Sequence, residues 1–293
     1  MSSFYRYIRT GKDRVQGWFA RIDSQIFYEI LGQQNALGID GAAAEIGVHH
    51  GKSFIALCRG LVGDQKAYAI DLFEQQDKNM DASGHGDKEI FLNHLKQFDV
   101  SQSKVVIDAR SSDEVKSGDI FNAVGGVRFF SIDGGHWREI VKSDLLLASS
   151  LLVEGGVIAL DDFMRSEWPD VSIGFFDWME SSSMQIVPFA VGFNKLYLCH
   201  RSYVGKFQKC LWDSPFLPYF FNKNYEFYGI QTPIFQFSVL PDRTLLRRWY
   251  EHLKLFYPDT FVVIHKLPIV KRLLRHAVKR LPPHVAKRLL PHG

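Results

Sequence analysis

Residues 42–53 read AAAEIGVHHGKS, a run of small and apolar residues that passes an acid and opens into a turn with two glycines. An almost uninterrupted apolar run is typical of a strand covered on both faces, since a half-exposed strand would alternate apolar with polar side chains. Glycines suit the sharp turn from a strand into a helix. We therefore predict a buried first strand at 42–47 that begins an α/β fold.

Apolar runs follow this strand at intervals and alternate with helical patterns. The predicted strands are Ala67–Asp71, Lys104–Asp108, Val127–Asp133, Val157–Asp161, Gln185–Val191 and Lys195–Cys199. The predicted helices are Ser53–Leu61, Lys88–Phe98 and Glu139–Leu152. This order favours a doubly wound, mostly parallel sheet. The short connection at 192–194 makes the last two strands an antiparallel hairpin.

Four segments follow from this pattern. Residues 1–40 form an N-terminal helical segment, in which apolar positions over 13–32, Trp18 among them, predict a helix packed on the sheet. Residues 41–200 hold the sheet. Residues 201–260 form an aromatic-rich extension without a clear period, which suits a lid, a dimer surface or ordinary packing. A homo-oligomer is therefore one expected partner.

The charge of the chain is concentrated at its C-terminal end. The 293 residues carry a formal net charge of +3, but eight of the 35 lysines and arginines, and no acid, fall after residue 260. The first 260 residues carry 27 basic against 32 acidic side chains, a net charge of −5. This balance argues against nucleic acid as a partner.

The tail at 261–293 has an amphipathic pattern. Its apolar positions between Ile269 and Leu281 trace one helical face, and basic residues largely trace another. Such a helix either packs on the domain or contacts anionic lipid reversibly, at the inner face of a membrane. Pro282 and Pro283 end the pattern.

Cysteine content and the N-terminus bear on the compartment. Cys58, Cys199 and Cys210 are odd in number and lack a C-x-x-C spacing, which indicates neither a disulfide framework nor a zinc site. The sequence shows neither an apolar run of about 18 residues nor a secretory signal. We expect a cytoplasmic protein.

The turn after Glu45 differs from the known phosphate-binding loops. A Walker turn needs four residues between its first glycine and its Gly-Lys pair, whereas Gly47 and Gly51 enclose three. A dinucleotide fingerprint would need a further glycine where His49 stands. An acid followed by such a turn, where a ligand approaches the glycine backbone, suits a ligand with a sulfonium cation and an amino-acid group. The alternative is a structural turn.

Polar residues also follow the second and third strands, where ligands of an open parallel sheet bind. Asp71 ends the second strand at the place where an acid accepts hydrogen bonds from ribose hydroxyls. Ser111 and Ser112 follow the third strand and could bind an adenine edge. As alternatives, Asp71 is a loop acid or helix cap, and the serines are helix caps.

Three acids are predicted to meet at the ends of two later strands. Asp133 ends one strand, and Asp161 and Asp162 end the next. Adjacent parallel strands lie about 4.8 Å apart, so these carboxylates would repel one another unless a cation lies between them. Oxygen ligands favour Mg²⁺. The alternative is that Asp161 or Asp162 caps a turn and Asp133 is solvated.

Two aromatic side chains follow Asp133 closely. His136 lies three residues beyond it, past two glycines, and an imidazole of ordinary pKa suits a general base near neutrality. Trp137 could stack on adenine or fill the core.

These residues together carry a resemblance. The chain from about Trp18 to Cys199 resembles the class I S-adenosylmethionine-dependent methyltransferases, which have a Rossmann-like sheet. Within them it is most similar to the bacterial group related to macrolide-sugar O-methyltransferases, and more distantly to the catechol O-methyltransferases. The spacing of 28 positions from Asp133 to Asp161 matches the catechol-type pattern. His136 stands where the catechol enzymes have lysine, and Asp162 where they have asparagine, which favours a sugar-like acceptor.

The resemblance implies a role for each motif. The turn from Glu45 to Ser53 would lie against the methionine part of S-adenosylmethionine, Asp71 would bind its ribose, and Ser111 would begin the adenine loop. The acids at 133, 161 and 162 would hold Mg²⁺, and His136 would be the base. The expected enzyme methylates a hydroxyl of a sugar, glycan or small natural product. The rival functions are a non-catalytic module of a glycan-assembly system and a related metal-dependent hydroxylase.

Overall fold

The structure is a computed structural model that describes residues 2–80, 82–181, 185–236 and 252–268. The chain forms two compact units, residues 1–238 and residues 239–293. The first unit contains one nine-stranded sheet. Its strands are β1 (Ala42–Ile46), β2 (Ala67–Ile70), β3 (Val105–Asp108), β4 (Val127–Ile132), β5 (Leu152–Leu160), β6 (Ile186–Val191), β7 (Leu196–His200), β8 (Phe221–Phe227) and β9 (Ile230–Phe235).

The strand order is β3-β2-β1-β4-β5-β7-β6-β9-β8. The first five strands in this order run parallel to one another. Strand β7 runs antiparallel to both β5 and β6, so the hairpin reverses direction beside β5. The prediction of a doubly wound, mostly parallel sheet with an antiparallel hairpin is confirmed. From β1 the chain builds the sheet in one direction through β2 and β3, and then returns to add β4 and β5 on the other side of β1. In open α/β sheets, ligands bind beyond the carboxyl ends of the strands at such a change of direction.

Helices cover both faces of this sheet. They are α1 (Ser3–Arg6), α2 (Arg21–Ala36), α3 (Phe54–Gly60), α4 (Lys88–Gln97), α5 (Ser117–Val124), α6 (Arg138–Leu151), α7 (Pro169–Ser181) and α8 (Val204–Asp213). The buried side chains form two clusters, one on each side. Phe129 belongs to the cluster that contains Phe27 of α2, and its neighbour Phe130 belongs to the cluster that contains Trp178 of α7. Consecutive strand residues point to opposite faces, so one apolar run supplies both cores.

The N-terminal helix differs from its prediction. Helix α2 begins at Arg21, not at residue 13, and continues through Gly32 to Ala36. Gly17 has a φ of +129°, so a helix cannot continue through this residue into α2. As a result Trp18 lies outside the helix with 73% of its surface exposed and does not pack on the sheet.

The aromatic-rich extension contributes to the same body. It forms α8 and the β8–β9 hairpin, and β9 pairs with β6, so the sheet gains two strands. Phe216, Phe220 and Phe235 are buried in the cluster that also contains Phe27. The segment was expected to form a lid, a dimer surface or ordinary packing, and these three rings are packing residues.

The second unit is described only over residues 252–268, which include a helix at Pro258–Lys266. The predicted amphipathic helix at 269–281 lies outside the described residues. Among the described helices none is long and apolar enough to cross a membrane. All three cysteines are free thiols.

Candidate active site

A cavity of about 680 Å³ opens at the carboxyl ends of β1, β2, β4 and β5. Most of the residues predicted for a site line it. These are Gly47, His49, Asp71, Ser111, Ser112, Asp133, His136, Trp137, Asp161 and Asp162. Glu45, Gly51 and Ser53 are buried and are not part of the lining. The strand tips therefore converge as the topology requires, and the first turn contributes fewer residues than expected.

The glycines of the first turn are required by contacts within the protein. Gly47 has a φ of +79°, and a Cβ atom there would lie 1.7 Å from the carbonyl oxygen of Asp133. Gly51 has a φ of +90°, and its Cβ would lie 2.9 Å from the ring of Phe91. Backbone and ring packing therefore require glycine at both positions whether or not a ligand approaches them, and Gly47 also lines the cavity.

Glu45 lies fully buried in β1. Burial raises the pKa of its carboxyl to about 7, and the charge of Lys195 and the hydroxyls of Ser53 and Ser131 offset only part of that shift. A carboxyl in this position is close to half protonated at neutral pH. Its charge contributes to the electrostatics of the strand tips without direct access from the cavity.

Asp71 organises the turn beside the ends of β1 and β2. One carboxylate oxygen accepts a hydrogen bond from the backbone N–H of His49 at 2.7 Å, and the other accepts one from Phe73 at 2.7 Å. Each oxygen keeps a further lone pair, since a carboxylate has about four acceptor positions. Asp71 can therefore hold two loops together and still accept hydrogen bonds from hydroxyls in the cavity.

The serines after β3 lie on the same side. Ser111 precedes a single turn of 3₁₀ helix at Ser112–Glu114 and has the extended backbone of a capping residue. Both serines line the cavity. The Ser111 side chain makes no capping hydrogen bond, so its place in the cavity lining is not accounted for by a side-chain cap.

The three predicted acids meet beside this region. The backbone N–H of Asp133 donates to the Ile46 carbonyl at 2.9 Å, and that of Asp161 donates to the Ile132 carbonyl at 2.9 Å. These bonds continue the parallel ladders by one residue and bring the strand ends level. Ligand atoms of Asp133, His136 and Asp162 lie within 4.8 Å of one another, close enough to share one metal ion.

A buried lysine, which the sequence reasoning missed, lies among these acids. Lys195 has 2% of its side chain exposed, and its Nζ lies 2.7 Å from Asp161 Oδ2 and 3.7 Å from Asp133 Oδ2. Burial raises the pKa of Asp161, but the charge of Lys195 together with hydrogen bonds from Lys195, Asp133 and the Asp162 backbone outweighs burial, and the pKa lies below its usual value. Burial and the negative charge of Asp161 raise the pKa of Asp133.

Asn194 and Asp23 complete this network, and the sequence reasoning missed both. The Asn194 side-chain amide donates to Asp161 Oδ1 at 2.6 Å and to Asp162 Oδ1 at 2.8 Å. Its backbone N–H donates to Asp23 Oδ2 at 3.0 Å, and the Tyr197 hydroxyl donates to Asp23 Oδ1 at 2.9 Å. Burial raises the pKa of Asp23 to about 7. Helix α2 and the β6–β7 hairpin are thereby tied to the acids.

His136 is held on two sides. Its Nε2 lies 3.0 Å from Asp162 Oδ2, and its Nδ1 lies 3.4 Å from the Ser83 hydroxyl oxygen. The imidazole stacks on Trp168 with centroids 4.1 Å apart and planes 14° apart. A histidine paired with a carboxylate and fixed by stacking has the arrangement of an oriented acid–base group.

Several aromatic and apolar side chains also line the cavity, beside polar and charged ones such as Gln76, Lys78 and Arg110. Trp18, Met80, Trp137, Trp168 and Phe193 all line the cavity. Trp137 is 46% exposed and Trp18 is 73% exposed, so neither fills the core. Such a surface can cover a flat or partly apolar ligand next to the acidic group.

Comparisons with known proteins agree with this fold. Residues 44–163 match the family model described as a methyltransferase domain. A search of curated proteins finds no match. The solved O-methyltransferase NovP has a TM-score of 0.51 at 13% identity, over 60% of this chain and 78% of that one. At that identity the likeness concerns the fold.

Other solved structures have lower scores. The O-methyltransferase from Bacillus cereus in complex with SAH has a TM-score of 0.47 at 17% identity, over 68% of this chain and 90% of that one. CalS11, a TDP-rhamnose 3′-O-methyltransferase, has a TM-score of 0.42 at 16% identity, over 60% of this chain and 79% of that one.

Proposed function

We propose, from the match of residues 44–163 to the family model of a methyltransferase domain, that the protein moves a methyl group from S-adenosylmethionine to a hydroxyl oxygen. The observation that carries the oxygen acceptor is the oriented pair of His136 and Asp162, 3.0 Å apart beside a shared acidic cavity. The acceptor class we propose is a sugar, a glycan or a small natural product.

The cofactor side of the cavity suits S-adenosylmethionine. Asp71 offers carboxylate lone pairs at the end of β2, and Ser111 and Ser112 offer hydroxyls after β3. Asp71 and Asp133 line the cavity together with Gly47. Their carboxylates make this region favourable for a sulfonium cation and an ammonium group. S-adenosylmethionine supplies the methyl group as an electrophile, and the residues around it bind and orient the reactants.

The acidic residues at the strand tips suit a divalent cation. Mg²⁺ in enzymes is often held by one or two carboxylates, with water and substrate completing its octahedron. Asp133 and Asp162 supply two carboxylates whose oxygens lie within 4.8 Å of each other. A cation at this position would lower the pKa of an acceptor hydroxyl.

His136 is the proposed general base. A neutral imidazole nitrogen would take the proton from the acceptor hydroxyl as its oxygen attacks the methyl carbon, while the bond from that carbon to the sulfonium sulfur breaks and leaves a neutral thioether. Asp162 then stabilises the imidazolium that forms, as the carboxylate of a histidine dyad does. Trp168 keeps the ring in one plane through this step.

The aromatic wall suits the proposed acceptor. A sugar ring presents C–H faces that pack on aromatic rings and hydroxyl edges that can reach charged groups. Trp18 and Phe193 supply apolar surface within the same cavity as Asp162. An acceptor of this shape would be held on its faces while one hydroxyl reaches the acids.

Two measurements test the proposal. Calorimetry with S-adenosylmethionine separates an enzyme from a scaffold that keeps the fold, because a scaffold need not bind the cofactor. Mass spectrometry across a panel of sugar acceptors then looks for the gain of one methyl group. The His136→Ala variant should lose about 10²–10⁴-fold in rate with its cofactor affinity nearly intact. Equal loss of rate and of cofactor affinity would count against His136 as the base.

A further inference from the structure

We propose that Lys195 is a built-in cation that engages Asp161, and that a divalent metal ion is left to Asp133 and Asp162. The inference rests on the proposed function only for the presence of a divalent cation. This pair of metal ligands differs from the set of ligands expected from the sequence, in which Asp133, Asp161 and Asp162 all bind the metal ion.

Strand pairing places the lysine. In the antiparallel register of β5 and β7, Leu160 lies opposite Leu196. Asp161 directly follows β5, and Lys195 directly precedes β7. The two side chains therefore face each other at the same end of the sheet. The distance of 2.7 Å between their charged atoms is a direct ion pair.

Both carboxylate oxygens of Asp161 already have partners within the protein. Its Oδ2 faces Lys195, and its Oδ1 accepts from the Asn194 amide at 2.6 Å and from the Asp162 backbone N–H at 3.0 Å. The residue is 6% exposed. A metal ion bound by this carboxylate would have to displace donors that are themselves buried, which leaves them unsatisfied.

The other two acids have fewer partners within the protein, although the Asp133 carboxyl also contacts that of Asp161. Asp133 is approached by Lys195 at 3.7 Å, beyond hydrogen-bonding distance. Asp162 accepts one bond from Asn194 at Oδ1, and its Oδ2 lies beside His136. Both line the cavity, and their oxygens are close enough to hold one cation between them.

The charge of Lys195 also limits how tightly such a cation binds. The ammonium group lies 2.7 Å from Asp161 Oδ2 and 3.7 Å from Asp133 Oδ2, so its positive charge acts on the carboxylates that would attract a metal ion. A second cation close by is repelled by it, since interactions between charges are strong in a buried setting. Lys195 thus stabilises the acids in the absence of metal and weakens the metal site beside them.

The test measures binding of Mn²⁺ alone to the full-length protein, from the electron paramagnetic resonance signal of the free ion. The decisive variant is the double substitution Lys195→Met with Asp161→Asn. It removes both members of the ion pair together, so no buried charge is left without its partner. Asp162→Asn is the positive comparison, and Lys206→Met, an exposed lysine of α8, is the control for the loss of one positive charge.

The double variant is expected to bind Mn²⁺ at least as tightly as the wild type, and threefold or more tightly if repulsion dominates. Asp162→Asn should weaken binding at least tenfold, and Lys206→Met should leave it unchanged. Weaker binding by the double variant would overturn the inference, because it is the result expected if Asp161 is a ligand. No Mn²⁺ binding by either wild type or double variant would also overturn it, whereas calorimetry with S-adenosylmethionine on the same proteins reports separately on the proposed function.

Discussion

The imidazole of His136 lies parallel to the indole of Trp168, with centroids 4.1 Å apart and an interplanar angle of 14°. Because Asp162 approaches the same ring at Nε2, two contacts in different directions fix its orientation. Trp168 comes from the connection that follows β5, one residue before α7 begins at Pro169. The segment after β5, which carries Asp161 and Asp162, therefore also supplies the aromatic side chain that supports the proposed base.

Trp168→Leu should lower the turnover number with little effect on cofactor binding. The smaller side chain removes the flat surface that orients the imidazole, and a misplaced catalytic group costs about tenfold or more in rate. Trp168→Phe is the matched control because it keeps an aromatic face. Steady-state kinetics and calorimetry with S-adenosylmethionine check this. Equal rates for the leucine and phenylalanine variants would show that stacking has no part in catalysis.

Trp18→Ala should raise the acceptor KM and leave the melting temperature unchanged. The side chain is 73% exposed and lines the cavity, so it supports a ligand more than it supports the core. Loss of one aromatic contact face corresponds to about 1–2 kcal/mol, roughly a tenfold rise in KM.

Phe121 of α5 provides the control for this change, since it is 60% exposed and does not line the cavity. Phe121→Ala should change neither the acceptor KM nor the melting temperature. Were Trp18→Ala to lower the melting temperature by several degrees instead, the ring would be a packing residue, as the sequence first suggested.

The parts of the fold that the sequence revealed share one physical origin. Strands β1 to β5 are short apolar runs covered on both faces, and such runs are distinctive in sequence. Once they are parallel, their carboxyl ends must lie at one edge, which explains why Asp71, Asp133 and Asp161 were found. The hairpin β8–β9 was missed because its outer strand is largely exposed and lacks an apolar run.

The missed residues of the site depend on long-range packing. Asp23 and Asn194 are hydrogen-bonded although they lie 171 positions apart. Asp23 sits on the buried side of α2, where an acid within an apolar stripe was the available signal. Lys195 was visible as a charge directly before an apolar strand, but its partner is fixed by the β5–β7 register, which the strand pattern alone does not give.

Asp71→Asn should weaken both cofactor binding and the fold. Asparagine keeps the shape, but its NH₂ group would face one of the two backbone N–H donors of His49 and Phe73. One buried donor would then lack an acceptor, which costs about 1–3 kcal/mol of unfolding free energy. Chemical denaturation measures this, with the exposed Asp64→Asn as control. Equal stability of the two variants would contradict the bridging role of Asp71.

Glu45 should make the protein less stable as pH rises from about 4.5 to about 7. Its pKa is 4.5 when unperturbed and about 7 when buried in β1. Below pH 4.5 the carboxyl is protonated in both states, so its ionisation costs nothing. Between these values the unfolded chain releases the proton and the folded chain retains it, so the free energy of unfolding falls with pH, and above pH 7 the loss is complete.

Glu45→Gln isolates this effect because glutamine has the same shape and does not titrate. Between pH 5 and pH 8 the wild type should lose about 1–3 kcal/mol more unfolding free energy than the variant, since each pKa unit corresponds to about 1.4 kcal/mol. Urea denaturation of both proteins at several pH values gives the difference directly. Parallel curves for the two proteins would mean that the carboxyl is ionised in the fold across this range, with the charge of Lys195 outweighing its burial.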